Sequence, residues 1–431
     1  MRAIRKIAVV GITAAALVGI GLGTSGNAVA DPSSTPSLST LVGVGSDTIT
    51  PLFAGSPTEN TSGSLVTDYN ATSPTDQIAS WDAVAPGTGA AGGTIDTKAS
   101  SGSDTSCDLT RPNGSSAGIT ALNNGQTDTS GDFCINFARS SRAPVESAPF
   151  SDTFVAQATD AIAWSYPSVS GLSSPQPSTL TKQDLINIYT CVDTNWDQTS
   201  TPGSNAPIIP VVPQAGSGTR STWLAALGIT ASSEPCWVNG VDPFNSSLPV
   251  EENTGLSTGN TDTFTDATSN ITVGTTSGGT TTGSSADVIY PFSIGDWIAQ
   301  GSAVHGTGTA GTVGHATVGG KATSIWGHGN LNLGETAGET ATATNSFSQP
   351  IINTNFPTQF FRTLYVVVRN GFSNPTGSSN AAFPTTSDSA GLQAAFSSTG
   401  WTCKNVTAQS DEVAFGFTLL GNGCGALSAG H

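Results

Sequence analysis

Between Gln214 and Arg220 the chain reads Gln-Ala-Gly-Ser-Gly-Thr-Arg, which sets two glycines, two hydroxyls and a guanidinium side by side. Residues of these types in this order suit the capture of a small anion. Gly216 and Gly218 let the backbone turn and come close to a ligand, while Ser217 and Thr219 offer hydroxyl and N–H donors. Arg220 adds a full charge in fork geometry. Similar groups recur in Gly43-Val44-Gly45-Ser46-Asp47-Thr48, in Gly114-Ser115-Ser116-Ala117-Gly118 and in Arg139-Ser140-Ser141-Arg142-Ala143-Pro144. Of the six arginines beyond residue 30, three (Arg139, Arg142 and Arg220) stand in or beside these loops.

Each loop also has a plain structural reading. Ser, Thr or Asp47 would cap the next helix, Gly would supply an unusual φ, and the arginines would pair with surface carboxylates, where such pairs contribute little. The Gln214–Arg220 loop has no Lys after its second glycine and carries Ser221 where a dinucleotide fingerprint needs a third glycine. Recurrence of the pattern favours a shared binding role.

The flanking segments decide how such loops are presented. Ile208-Ile209-Pro210-Val211-Val212 is an apolar, largely β-branched run, and residues 221–227 are rich in Ala and Leu, so the loop joins a strand to a helix. The unpaired first-turn amides and positive end of that helix then face the ligand. Further strands are expected at 41–44, 133–138, 160–164, 288–291 and 364–368. Helices are expected after Ser116, at 181–189 with Thr181 as cap, at 294–300 and at 388–398. Residues 74–113 and 301–346 read as loop-rich inserts, and 258–286 as a loop or edge hairpin of weakly specified register. A tail tied by Cys403 and Cys424 closes the chain. Alternating strands and helices favour an α/β fold with largely parallel sheets, whose ligands bind at the carboxyl ends of the strands.

The 431 residues suffice for two or three domains with a substantial core. A formal charge of −17 argues against nucleic acid or an anionic membrane as partner. The first thirty residues read as a secretory signal. Arg2, Arg5 and Lys6 precede an apolar stretch from Ile7 to Leu22, and Ala28-Val29-Ala30 offers a cleavage site before Asp31. With no cysteine there to take a lipid, free secretion is expected, without stable membrane insertion. Six cysteines in an exported chain suggest disulfides, and of fifteen possible pairings the sequence neighbours are favoured: Cys107 with Cys134, Cys191 with Cys236, and Cys403 with Cys424. No C-x2-C spacing points to a metal.

Taken in order, Gly43 to Thr48, Gly114 to Gly118, Phe137 to Pro144, the 180–189 helix, Gly216-Ser217-Gly218-Thr219-Arg220 and Tyr290-Pro291 resemble the phosphate-binding proteins of ABC uptake systems. That resemblance covers about 41–368 and implies a two-lobed, class II periplasmic-binding-protein fold, each lobe a mixed sheet flanked by helices. It implies lobe I from 31–160 plus 292–431, lobe II from 161–291, and crossing strands near 161–164 and 288–291. Family ligand positions fall on Asp47, Thr48, Ser115, Arg142, Ser217, Gly218 and Thr219, with Ser141 and Arg220 adjoining them.

The chain departs from the family pattern at three places. The usual Thr is Asp47, the proton-accepting Asp is Arg142, and an Arg ahead of the loop serine is Pro213. A phosphate that keeps a proton needs one acceptor and at least one cation, so Asp47 would supply the acceptor and Arg142 or Arg220 the cation. With Asp47 turned away, sulfate or another tetrahedral anion would fit equally. The expected protein is a monomeric, secreted receptor for such an anion, serving an ABC permease, without cofactor, metal or catalytic residue.

Two rivals differ in class. Gly114-Ser115-Ser116-Ala117-Gly118 fits G-x-S-x-G, with Ser116 as nucleophile and His305, His315 or His328 as base. A turn-like Thr110-Arg111-Pro112-Asn113 stands where that motif needs an apolar strand. The second rival is a secreted binding or surface module that keeps the fold without a transport role.

Overall fold

The computed structural model describes residues 31–32, 34–54, 64–72, 74–85, 91–99, 102–146, 151–167, 175–230, 237–240, 271–274, 280–283, 287–301, 331–346, 350–370, 383 and 388–431. The expected leader, His305, His315, His328 and Cys236 fall outside these residues.

One long strand, Asp152–Pro167, is the spine. Sequence pattern alone predicts a strand only at 160–164, because polar residues interrupt the apolar run before it. In the fold those polar residues, among them Asp152, Thr153 and Gln157, are buried. The strand Phe361–Arg369 pairs with the spine along its first ten residues, placing Phe361 opposite Ala161 and Arg369 opposite Asp152. Further along, Val288–Ser293 pairs antiparallel with it, Tyr290 facing Ser165 and Ser293 facing Ile162. The two segments expected to cross between lobes are therefore direct neighbours.

Outward from the spine the sheet becomes parallel on both sides. On one side the order continues through Phe361–Arg369 to Phe137–Ser140, Leu41–Gly45 and Ile78–Ser80; on the other it runs through Val288–Ser293 to Ile209–Val212 and Val238–Asn239. The last three strands of the first arm are mutually parallel, as are Val288–Ser293, Ile209–Val212 and Val238–Asn239 in the second. The fold is thus α/β with a mixed sheet: antiparallel at the spine, parallel where helices return the chain.

Helices form where capping and apolar spacing agree. Lys182–Tyr189 opens on a reciprocal capping box between Thr181 and Asp184 and buries Leu185, Ile188 and Tyr189. Gly218–Leu227 starts on Ser217, whose hydroxyl accepts from the Arg220 amide, and stops at Gly228 with φ 74°. Ser115–Asn124 ends at Gly125 in the same left-handed conformation.

The apolar side chains form separate clusters. One gathers Phe53, Phe137 and Phe396, with ring centroids 5.1–6.1 Å apart, under the first arm. Another holds Trp164, Tyr189, Trp196 and Trp223 under the second arm. Ala341, Ile352, Phe356 and Phe360 also pack in this second cluster, and Leu331–Leu333 pairs with the end of the spine. Leu333, Ala341, Ile352, Phe356 and Phe360, in a stretch expected with the first lobe, thus share a cluster with Tyr189 and Trp223, expected with the second.

Two expected disulfides, Cys107–Cys134 and Cys403–Cys424, are present. The stretch after residue 400 is more than a tied tail. It folds into the helices Trp401–Lys404 and Val406–Ala414, then returns Thr418–Leu419 and Leu427–Gly430 to the spine as antiparallel partners. No described helix is long and apolar enough to cross a membrane.

Candidate functional site

Four loops meet where the two arms of the sheet face each other. Strand Leu41–Gly45 delivers Ser46 and Thr48, Phe137–Ser140 delivers Ser141, the Ser115–Asn124 helix begins with Ser115, and the Gly218–Leu227 helix presents Thr219 in its first turn. All five side chains are fully buried. Ser46 Oγ donates to Ser141 Oγ at 2.9 Å, and Ser141 N–H donates to Ser115 Oγ at 3.0 Å. Three further hydroxyl contacts are long: Ser115 to Ser141 3.3 Å, Thr48 to Thr219 3.3 Å and Thr48 to Ser141 3.4 Å. Good O–H···O bonds lie at about 2.7–2.8 Å, so a stronger acceptor would readily take over these donors.

Gly218 makes the convergence possible. A Cβ there would lie 2.2 Å from Ser141 Oγ and 2.5 Å from Ser115 Oγ. At Gly114, with φ 95°, a Cβ would stand 2.9 Å from the carbonyl oxygen of Gly216, which accepts from Ser116 N–H at 3.1 Å. Two helix N-termini of ten-residue helices are thereby brought against one cluster of hydroxyls.

The cation at this cluster is one that the loop motifs do not contain. Arg362, on the spine's partner strand, donates from Nη1 to Thr219 Oγ1 at 2.9 Å and to the Ser141 carbonyl at 3.4 Å, and from Nη2 to Thr48 Oγ1 at 3.4 Å. Sheet register sets it opposite Asp160, and the two form an ion pair at 2.8 Å with a second bond from Nε at 2.9 Å. Asp160 is further held by Ser293 Oγ at 2.8 Å and the Gly295 amide at 3.0 Å. A buried pair of this kind stays in place because both carboxylate oxygens and all three guanidinium nitrogens have partners.

The other arginines are engaged elsewhere. Arg142 donates to Ser116 Oγ, the Ala143 carbonyl and the His431 carbonyl at 3.0–3.1 Å, with Phe154 under its guanidinium. Arg220 reaches the Pro213 carbonyl at 3.1 Å and lines a cavity of about 390 Å³ with Leu224 and Ile229; that cavity does not include the hydroxyl cluster. Burial holds both guanidinium groups below their usual range. Arg139 is wholly buried and bridges Ser46 O, Thr50 Oγ1, Ser80 Oγ and Trp81 O. Asp47 is fully buried beside Arg139, with its carbonyl accepting from Thr50 N–H.

Among the sequence-predicted residues, Thr48, Ser115, Ser141, Gly218 and Thr219 come together, and Ser217 caps the helix beneath them. The guanidinium of Arg142 is committed to other acceptors, and that of Arg220 donates to the Pro213 carbonyl. Sequence reasoning missed Ser46, Asp160 and Arg362. Each of the last two is a charge inside an apolar strand pattern, and such a charge needs a buried partner.

The arrangement is a set of convergent neutral donors with one compensated cation, suited to an oxyanion. It is poorly suited to acyl chemistry at Ser116, whose hydroxyl accepts from Arg142 Nε at 3.1 Å and which follows only a three-residue strand, Asp108–Thr110. Among the described residues no group of His, Cys, Asp and Glu is disposed to hold a metal.

A family model for the PBP superfamily domain matches residues 71–390. The chain belongs to the PBP superfamily. Solved structures similar to this superfamily member include an ABC-type phosphate transport receptor from Vibrio cholerae, 15% identical over 88% of this chain and 99% of that one, with a TM-score of 0.42. PstS from Borrelia burgdorferi is 13% identical over 88% and 98%, with a TM-score of 0.36. A phosphate binding protein from Stenotrophomonas maltophilia is 10% identical over 88% and 90%, with a TM-score of 0.38. No curated protein sequence matches the chain.

Proposed function

We propose that this PBP-superfamily protein is exported, encloses inorganic phosphate or a closely similar tetrahedral oxyanion between two lobes, and delivers it to an ABC permease. One observation carries the reading: Thr48, Ser115, Ser141 and Thr219, from four separate loops, are buried together against Arg362. In this assignment the hydroxyls and first-turn amides of Gly218 and Thr219 donate to the anion, and Arg362 supplies the positive charge. Asp47 accepts the proton that distinguishes phosphate from sulfate. The lobes are taken as 31–160 with 361–431, and 161–360, following the packing of 331–360. The leader is taken to be removed after Ala30.

Isothermal calorimetry on residues 31–431 with phosphate, sulfate, molybdate and tungstate tests the proposal. Phosphate is expected to bind most tightly. Arg362→Ala is expected to lose about 100-fold in affinity, the worth of a charge-assisted bond in a dry site, and Arg362→Lys to lose less. Heat from none of the four anions would end this reading.

A further inference from the structure

Beside the Ser46–Thr48 loop lies a second buried cluster: Arg139, Asp82, Arg111 and Asp31. Arg139 grips both sides of the loop. Its carbonyl accepts from Ser46 N–H at 3.0 Å, its Nε donates to Ser46 O at 3.3 Å, and its Nη2 donates to Thr50 Oγ1 at 2.9 Å. Every acceptor it touches is a neutral carbonyl or hydroxyl. Arg111 and Asp31 satisfy each other through two bonds of 2.6 and 2.7 Å. Asp82 is left with Oδ1 on the Ala83 amide at 2.9 Å and with Oδ2 buried and lacking a hydrogen-bond partner.

Asp82 is 1% exposed, and burial pushes its carboxyl up to about 7, an effect that the charge of Asp31 reinforces and that Arg139 and Arg111 oppose. Arg139 is lowered by burial to about 10, against the charges of Asp82, Asp47 and Asp31, so it keeps its proton in the neutral range. These are the charged side chains that face Asp82 and Arg139 among the described residues; in a chain beginning at Asp31, which accepts from the Asp82 amide at 3.0 Å, its α-ammonium joins them and is common to the wild type and both variants. The titrating carboxyl and the permanent cation thus share one dry compartment, and the cation holds the backbone of an oxyanion-binding loop.

We propose that Asp82 is a proton-linked positioning residue for the oxyanion site. Its neutral form leaves the charge of Arg139 to the Ser46–Thr48 loop and favours the bound anion, whereas its carboxylate offsets that charge and weakens binding. This rests on the function proposed above.

The test is the phosphate Kd of the wild type and of Asp82→Asn, measured by calorimetry from about pH 5.5 to 8.5 at fixed ionic strength. The ratio of the two values cancels the titration of phosphate itself. The ratio of wild-type to variant Kd is expected near one at the acid end. It rises to about three- to tenfold at the alkaline end, as one charge acts across protein of effective dielectric about 20. Asp31→Asn removes the neighbouring negative charge and is expected to move the midpoint of the wild-type profile to lower pH. It also serves as the test should Asp82→Asn not fold. A flat ratio, or an unmoved midpoint in Asp31→Asn, with phosphate still bound, overturns this inference alone. A wild type that binds no phosphate at any pH removes the proposed function and the inference with it.

Discussion

At the scale of single residues the site depends on the absence of one carbon atom. Gly218 lacks the Cβ that would strike two hydroxyl oxygens at 2.2 and 2.5 Å. Gly218 has an ordinary φ, so Gly218→Ala acts chiefly through this collision and that with the Ser141 backbone carbon at 2.8 Å. It should cost about 1–3 kcal/mol of oxyanion affinity or stability, the usual penalty for overpacking. Calorimetry together with thermal unfolding separates the two, and unchanged affinity with unchanged Tm would show that Ser115 and Ser141 do not crowd this position. Gly218 was legible in the sequence because its role follows from type and spacing. Arg362 was not, since its importance comes from what stands across the sheet from it.

At the scale of elements, two helices meet through carboxyl groups. Asp411 on Val406–Ala414 faces Asp68 on Leu65–Ala71, and burial, then the charge of Asp68 and a hydrogen bond to it, raise Asp411 to about 8. Glu412 is raised as well, by burial and by Asp411. A carboxyl whose folded value exceeds its unfolded one holds a proton that the unfolded chain has released. Its stabilising effect is complete below about pH 4 and is lost progressively as pH rises to about 8. Asp411→Asn keeps the shape without the charge, so the variant should gain stability relative to the wild type at pH 9 and show little difference at pH 4. Urea unfolding at both values measures this; a difference that does not grow with pH would exclude a shared proton at this helix contact. Of the two, Val406–Ala414 lies in the stretch that sequence reading took for a tail. The segment carries few strong apolar repeats, and its helices are held by packing on neighbours.

At the scale of the whole molecule, the oxyanion residues are enclosed. Thr48, Ser115, Ser141 and Thr219 each have 0% exposure, so on the two-lobe reading proposed above a ligand reaches them when the lobes part. On that reading Gln214 Nε2 to Asn113 Oδ1 at 2.8 Å and Thr222 Oγ1 to the Ser141 carbonyl at 3.3 Å cross between the lobes and would open with them. Small-angle scattering should therefore record a smaller radius of gyration with saturating phosphate than without it. Equal radii in the presence of proven binding would mean that entry uses a local path.

Sequence alone determined whatever is local in cause. Strand-loop-helix units follow from apolar runs broken by glycine and hydroxyl residues, the helix at 182–189 from its Thr181 cap, and the two described disulfides from neighbouring cysteines. Motif order was enough to point to the PBP superfamily. Only the tertiary structure decided which charges matter. Of the six arginines beyond residue 30, spacing singles out Arg139, Arg142 and Arg220, but a buried guanidinium goes where acceptors await it. Strand register hands Arg362 to Asp160 and the hydroxyls, while Arg139 and Arg142 are claimed by nearby main-chain and hydroxyl oxygens.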